Sequence, residues 1–214
     1  LATLRRGWVD LADAYAVGRS RDDSYEEMVE RVLAPVRRGR KVCAVFYGHP
    51  GVFAFPPHEA IRRARAEGFE ALMQPGISAE DCLFADAGVD PGVTGCQSFE
   101  ATDFLLRRRR FDPTAALVLW QIGLVGVEDV RDADLWSEEG LEVLVATLLE
   151  TYPAEHEVVV YEASTLPITP PKIVRVALAK LQCAPVTAIS TLYLPPLPER
   201  DTDLAMARKL GLLE

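Results

Sequence analysis

The sequence has few of the side chains that most often hold metal ions. It contains three histidines, and no two of them are four positions apart, the spacing with which a helix presents a pair to zinc. Its four cysteines form no C-x-x-C pair and lie among apolar neighbours, a pattern typical of buried, reduced cysteines with a structural role. We therefore predict no metal site and a cytoplasmic protein.

Positive charge is also scarce. Lys and Arg number 23 against 32 Asp and Glu, which gives a net charge of −9, whereas nucleic-acid binding relies on clustered Lys and Arg. The arginine run at 107–110 is the exception. We interpret it as a solvated helix end rather than a binding patch, because cations are favoured at the negative pole of a helix dipole. We predict no nucleic-acid partner.

A long apolar segment is missing as well. The longest apolar run, around residues 115–127, contains Gln121 and two glycines. It is shorter than the roughly 20 residues that a membrane-spanning helix needs. We therefore predict no membrane partner.

What the sequence does have is a hydrophobic content of 49%, enough for a substantial core. Ser24 and Glu27 have the spacing of a capping box, and helical periodicity follows them up to a basic last turn and Gly39. The apolar runs at 41–47 and 69–74 are typical of strands buried in a parallel sheet. Two further helices are predicted, one opened by Pro56-Pro57 and one over 79–87 with Ser78 as N-cap. Because strand and helix alternate, the first half is predicted to be α/β.

The turn-rich segment 90–95 is the predicted domain boundary. It separates an N-terminal α/β subdomain, residues 1–91, from a C-terminal mixed α/β subdomain, residues 92–214. Four strands are predicted in the second part, at 96–99, 116–121, 157–161 and 186–194. Its predicted helices lie at 101–109, 138–151 and 172–181, with a short one in the tail.

Two glycine/proline turns follow the two strands predicted in the first half, Y-G-H-P-G-V-F at 47–53 and P-G-I-S-A at 75–79. Glycine lets the backbone approach a ligand closely and proline fixes the chain direction, so α/β proteins use such junctions to bind nucleotides. In the second half, Gln121 and Ser190-Thr191 interrupt apolar strands. Buried polar groups need partners, which here are either a cofactor or, as in ordinary strands, neighbouring backbone groups.

With E-A-T-D-F-L-L at 100–106 and L-W-Q-I-G at 119–123, these turns resemble the tetrapyrrole methylase superfamily of S-adenosylmethionine (SAM) enzymes over residues 9–196. Within it, the blocks at 47–53 and 76–86 resemble the borosin-type peptide backbone α-N-methyltransferases. The resemblance implies two α/β subdomains with SAM bound in the cleft between them and S-adenosylhomocysteine as product. The residues that it implies for the SAM pocket are Tyr47, His49, Val52, Phe53, Ser78, Ala79, Gln121, Ala163, Ser190 and Thr191.

The resemblance also implies three catalytic residues, Tyr15, Arg21 and Tyr25. They stand in D-L-A-D-A-Y at 10–15 and S-R-D-D-S-Y at 20–25, which match the borosin pattern. A guanidinium lowers the pKa of a nearby phenol and can bind a developing oxyanion. From spacing alone, Tyr25 also fits the apolar stripe of its helix, and Arg21 fits a charged loop.

The chain departs from that group in two respects. The first strand of the superfamily and its glycine-rich loop have no counterpart, so we expect N-terminal sequence to be missing and the sheet of the first subdomain to lack a strand. The helical clasp and C-terminal core peptide of the fungal members are also absent, which favours a separate precursor peptide as substrate in trans over self-methylation. As in the family, we expect a homodimer.

Two other functions remain open. One is a methyltransferase of the same superfamily acting on a tetrapyrrole or another small molecule, although a tetrapyrrole carbon is already nucleophilic and needs no tyrosine–arginine activation. The other is a catalytically silent module that binds a peptide.

Overall fold

The computed structural model describes residues 8–127, 136–164, 166, 168–198 and 201–213. The chain divides into two compact units, Leu1–Asp86 with Gly126–Leu135 and Ala87–Val125 with Trp136–Glu214. The predicted α/β class is confirmed. The boundary between residues 91 and 92 stays a prediction. Over the described ranges, no helix is long and apolar enough to cross a membrane.

In its described residues, the first unit contains the α-helices α1 (Arg21–Arg37), α2 (Phe55–Ala66) and α3 (Ala79–Ala87). Helix α1 begins before the predicted capping box, so that prediction is wrong. Ser20 is the N-cap, accepting from the Asp22 amide at 3.2 Å, while Ser24 is buried inside the helix and donates to the Ser20 carbonyl at 3.0 Å. The acidic first turn of Asp22 and Asp23 favours this earlier start because carboxylates are stabilised at the positive pole of the helix.

Helices α1 and α2 pack through a small apolar core. Val29 and Leu33 of α1 face Ala60 and Ala64 of α2, whose short side chains allow close approach of the two helices. Ion pairs surround this contact, including Arg63 to Glu26 and to Glu59. Ion pairs that remain in contact with solvent contribute little each, so the apolar contact is the main source of stability here.

The two strands predicted at 41–47 and 69–74 do not form, and the prediction of a sheet in the first unit is wrong for the residues that the structure describes. Neither segment pairs with a strand in the described residues. Segment 41–47 is mostly exposed, with Val45 71% accessible, and segment 69–74 alternates between half-buried and exposed residues, with Leu72 68% accessible. A strand requires a hydrogen-bonded neighbour, and the described part of this unit supplies none. With α1 and α2, the segments line an apolar cavity of about 680 Å³ that includes none of the predicted site residues.

The second unit is built on a five-stranded sheet in the order β1-β2-β5-β3-β4. β1 and β2 are parallel, and every other pairing is antiparallel. The strands are β1 (Cys96–Glu100), β2 (Ala116–Trp120), β3 (Glu157–Glu162), β4 (Lys172–Ala177) and β5 (Thr191–Leu194). The helices are α4 (Pro91–Thr94), α5 (Ala101–Leu106), α6 (Glu138–Leu149) and α7 (Leu204–Lys209).

The core of this unit lies between the sheet and α6. Alternate residues of the central strands, such as Leu117 and Leu119 in β2 and Val158 and Val160 in β3, belong to it. This period of two is what a strand with one face on a core requires. Every residue of β2 is buried, as its continuous apolar run predicts.

The helix predicted at 172–181 is wrong. Residues Lys172–Ala177 form strand β4, followed by a 3₁₀ turn at Leu178–Cys183. The β-branched Ile173, Val174 and Val176 favour an extended backbone, and β3 pairs with the strand over its whole length. The strand predicted at 186–194 is shortened to β5, and segment 90–95 contains α4.

The predicted burial of the four cysteines is wrong. Cys43 and Cys183 are exposed, and Cys82 and Cys96 are partly exposed. Cys43 lies in the unpaired segment 41–47 and Cys183 at the end of a 3₁₀ turn, so neither reaches a core.

Gly123 follows β2 and packs directly on the backbone of Thr187. A Cβ at Gly123 would stand 2.1 Å from the Thr187 carbonyl oxygen, and neither backbone can move without disturbing a strand. We expect Gly123→Ala to lower the free energy of unfolding by about 3 kcal/mol, measured by chemical denaturation. Gly92→Ala is the control, since its new methyl group meets only the Asp90 side chain, at 3.1 Å. Equal stabilities of the two variants would contradict this packing.

Candidate functional site

The two glycine/proline turns of the first unit contact each other. A Cβ at Gly76 would stand 2.9 Å from the Gly48 carbonyl oxygen, and Gly48 has a φ of +74°. Neither position therefore accepts a side chain without strain. The two turns, which lie 28 positions apart in the sequence when measured from Gly48 to Gly76, thus form one backbone surface.

His49 is held by its own turn. The Gly51 amide donates to its Nδ1 at 2.9 Å, and His58 Nε2 lies 3.0 Å from the Gly51 carbonyl oxygen. Because Nδ1 accepts, the proton of a neutral His49 ring is on Nε2. The half-buried ring therefore offers one fixed N–H donor to a ligand.

Ser78 is the N-cap of α3, as predicted. Its hydroxyl accepts from the Asp81 amide at 3.2 Å, and its hydroxyl and amide both donate to Asp81 Oδ2 at 2.7 Å. The hydrogen bonds from the Ser78 hydroxyl and amide lower the pKa of Asp81. The Ser78 side chain is thus used within the chain, and Ala79 begins the helix with backbone N–H groups that lack helical partners.

Two predicted site residues have strained backbones. Phe53 has a φ of 50° and Gln121 a φ of 58°, and Arg108 is the only other non-glycine residue with positive φ in the described ranges. This conformation is unfavourable for bulky side chains and is concentrated at functional sites. Phe53 and Tyr47 are also largely exposed, at 55% and 76%, and Val52 is half-buried.

Two of the three predicted catalytic residues, Tyr15 and Tyr25, are in ring contact. Their centroids lie 6.1 Å apart in an edge-to-face arrangement, and Phe55 stacks on Tyr25 at 5.9 Å. Sequence reasoning missed Phe55. Its position at the start of α2, next to Pro56, was the available signal, but only the packing of α2 against α1 brings it to Tyr25.

The surroundings of Tyr15 disfavour its ionised form. Burial raises the pKa of Tyr15 to about 12, aided by the charge of Tyr25 and by a hydrogen bond with it, while Arg21 opposes this rise. The expectation that the guanidinium lowers the pKa of a nearby phenol is thus outweighed at Tyr15. Tyr15 therefore stays protonated at neutral pH.

Arg21 occupies an electrostatically unfavourable place. It is the first residue of α1, where the helix dipole disfavours a cation. Its neighbours have carboxylate partners: Arg31 pairs with Asp13 at 2.5 Å, and Arg37 with Glu30 at 2.6 Å. No ion pair of Arg21 is found in the described part of the chain. Its guanidinium can therefore bind a ligand oxygen.

In the second unit, the predicted cofactor residues lie at the adjoining ends of the three central strands of the sheet. β2 ends before Gln121, β3 ends before Ala163, and β5 begins at Thr191. Because β5 is antiparallel to both neighbours, these three strand ends lie side by side. Ser190 joins them through its carbonyl oxygen, which accepts from the Ile122 amide at 3.0 Å.

The hydroxyl of Ser190 has partners within the chain. It accepts from the Thr187 amide at 2.9 Å and donates to Glu162 at 2.6 Å, and its contact with a cofactor stays a prediction. Glu162 was missed because nothing in its local sequence distinguishes it from other strand-end carboxylates.

Within the described ranges, no group of three or more His, Cys, Asp or Glu side chains could hold a metal ion.

Comparison with known proteins identifies relatives of the whole chain. Residues 3–182 match the family model of tetrapyrrole (corrin/porphyrin) methylases. A methyltransferase/ribosomally synthesized cyclic peptide gymnopeptides precursor of Gymnopus fusipes is 42% identical over 100% of this chain and 51% of its own length. A methyltransferase/type III borosin cyclic peptide precursor of Anomoporia bombycina is 43% identical over 96% of this chain and 24% of its own length. The chain thus spans about half, or less, of these relatives.

A solved structure shares the fold. The methyltransferase CobJ superposes with a TM-score of 0.57 at 19% identity, covering 91% of this chain and 74% of that one.

Proposed function

Because the chain belongs to the tetrapyrrole (corrin/porphyrin) methylase family, we propose that it is a SAM-dependent methyltransferase that methylates backbone amide nitrogens of a peptide. The observation that carries this proposal is the Tyr15–Tyr25 contact, with the charge of Arg21 acting on it. Relatives described as methyltransferase and cyclic peptide precursor support the peptide as substrate.

The trio matches what an amide substrate demands. A peptide nitrogen is a poor nucleophile because its lone pair is delocalised into the carbonyl group. In the proposed reaction, the Tyr25 oxygen acts as the general base that takes the N–H proton, and Tyr15 packs edge-to-face against its ring. Arg21 binds the substrate carbonyl oxygen, on which negative charge develops.

The predicted cofactor residues fit SAM. The joined turns at Gly48 and Gly76 offer backbone groups without intervening side chains, and His49 adds an N–H donor. When bound, SAM supplies a methyl group on a positively charged sulfur, a good leaving group, so the residues around it need only hold donor and acceptor in line. The substrate is proposed to be a separate precursor peptide.

A tetrapyrrole substrate is the second candidate, favoured by the description of the family whose model matches residues 3–182. A tetrapyrrole carbon is already nucleophilic and leaves the trio without a role. A silent peptide-binding module would keep the peptide site and lack turnover. Both alternatives give no methyl transfer to peptides.

We expect the chain to bind S-adenosylhomocysteine without a metal ion. Isothermal titration calorimetry in the presence of a chelator measures this binding. The joined turns and the donor of His49 are the groups that the ligand would contact. Absence of heat and of any thermal shift would count against the methyltransferase assignment.

We also propose a homodimer. The first unit exposes large apolar side chains, among them Val45, Leu72 and Ile77, which is the kind of surface that oligomers cover. Light scattering at micromolar concentration should give twice the mass of one chain. A strict monomer would contradict the dimer.

Tyr25→Phe is expected to abolish peptide methylation and spare cofactor binding. The substitution keeps the ring and its stacking on Phe55 and deletes only the proposed base, a loss that typically costs about 10²–10⁴ in rate. Transfer of labelled methyl from SAM to a pool of synthetic peptides gives the rate, and calorimetry gives the affinity for S-adenosylhomocysteine.

Tyr152→Phe is the matched control. Tyr152 is 2% exposed, and its hydroxyl has no hydrogen-bond partner among the residues that the structure describes, so the same deletion there removes none of the described hydrogen bonds. We expect its rate to equal that of the unsubstituted chain. A Tyr25→Phe protein that methylates peptides at the same rate as Tyr152→Phe would show that Tyr25 is a packing residue and not the base.

A further inference from the structure

The carboxylate of Glu162, at the end of β3, collects three donors on one oxygen. Oε1 accepts from Lys172 Nζ at 2.9 Å, from the Thr187 hydroxyl at 2.8 Å and from the Ser190 hydroxyl at 2.6 Å. The Glu162 side chain is 14% exposed. A carboxylate this shielded is stable only when charge and hydrogen bonds replace its water.

Lys172 supplies the charge. It is the first residue of β4 and stands opposite Glu162 in the β3–β4 register. Burial alone would raise the pKa of Glu162, but the bonds from Ser190, Lys172 and Thr187 together hold it below its usual value. Glu162 is therefore ionised at neutral pH, and its two hydroxyl neighbours are oriented as donors.

Those hydroxyls belong to the turn at 187–190, which leads into β5. The Ser190 amide donates to the Thr187 carbonyl at 3.1 Å, and the Thr187 amide donates to Ser190 Oγ at 2.9 Å. The same turn contacts the end of β2 through the Ile122 amide and through Gly123. One carboxylate thus joins the ends of β2, β3 and β5.

We propose that Glu162 is a positioning residue for the cofactor in the second unit. Its charge fixes the 187–190 turn and thereby the placement of Gln121, Ala163 and Thr191, which lie at the adjoining ends of β2, β3 and β5. Glu162 acts through Ser190 and Thr187 and needs no contact with the cofactor. The inference rests on the proposed use of SAM. One carboxylate would thus set the placement of cofactor residues that are distant from each other in sequence.

The test compares Glu162→Gln with Glu157→Gln in the full chain. Glu157 begins the same strand and also pairs with a cation of β4, Arg175, at 3.3 Å. It is far more exposed than Glu162 and lies at the opposite end of β3. Glu162→Gln removes the charge that orients the hydroxyls and should weaken binding of S-adenosylhomocysteine about tenfold or more, since hydrogen bonds to charged groups are the strong ones. Glu157→Gln should bind as the unsubstituted chain does.

Hydrogen exchange supplies a readout that needs no cofactor. In Glu162→Gln the Ile122 and Thr187 amides should exchange about tenfold faster, while the Val160 amide in β3 stays protected. Thr187→Val, which deletes one donor and keeps the side-chain shape, should show a smaller change in the same amides. Uniformly faster exchange, or unchanged exchange at Ile122 and Thr187, would overturn the positioning role.

The two proposals fail differently. If the unsubstituted chain binds S-adenosylhomocysteine and Glu162→Gln binds it equally well, the positioning role is wrong and the proposed function stands. If the unsubstituted chain does not bind S-adenosylhomocysteine, the proposed function fails, and with it the positioning role of Glu162.

Discussion

Each unit contains a glycine that packs directly on a distant backbone carbonyl and leaves no room for a side chain. In the first unit, Gly76 packs on the Gly48 carbonyl; in the second, Gly123 packs on the Thr187 carbonyl. Both contacts join segments distant in sequence, and both lie beside predicted cofactor residues. A methyl group at either position would push apart two segments that carry or adjoin predicted cofactor residues. Close backbone packing is therefore required for the placement of those residues.

Around these contacts, several residues are placed against their own stability. Arg21 lies at the positive pole of α1, and Phe53 and Gln121 have left-handed backbones. Elsewhere the chain follows local preference, with Ser20, Ser78 and Asp90 capping helices and ion pairs surrounding α1 and α2. Unfavourable placement concentrated at the predicted site is what a functional site would produce.

Local signals in the sequence predicted α2, α3, α6 and the central strands, because caps, prolines and periodicity act within a few residues. Segments 41–47 and 69–74 failed because a strand also needs a neighbour, which no local pattern supplies. Helix 172–181 failed because pairing with β3 outweighed the apparent periodicity. Phe55 and Glu162 escaped notice for a related reason: their partners, Tyr25 and Ser190, lie far away in sequence.

The central claim is that the chain transfers methyl groups to peptide backbone nitrogen. Fragmentation mass spectrometry of peptides incubated with the chain and SAM tests it most directly, because the fragment masses locate each added methyl group. The account predicts methyl groups on backbone amides, in steps of one methyl each. Methyl groups confined to side chains or termini, or peptides left unmodified while a tetrapyrrole becomes methylated, would contradict it.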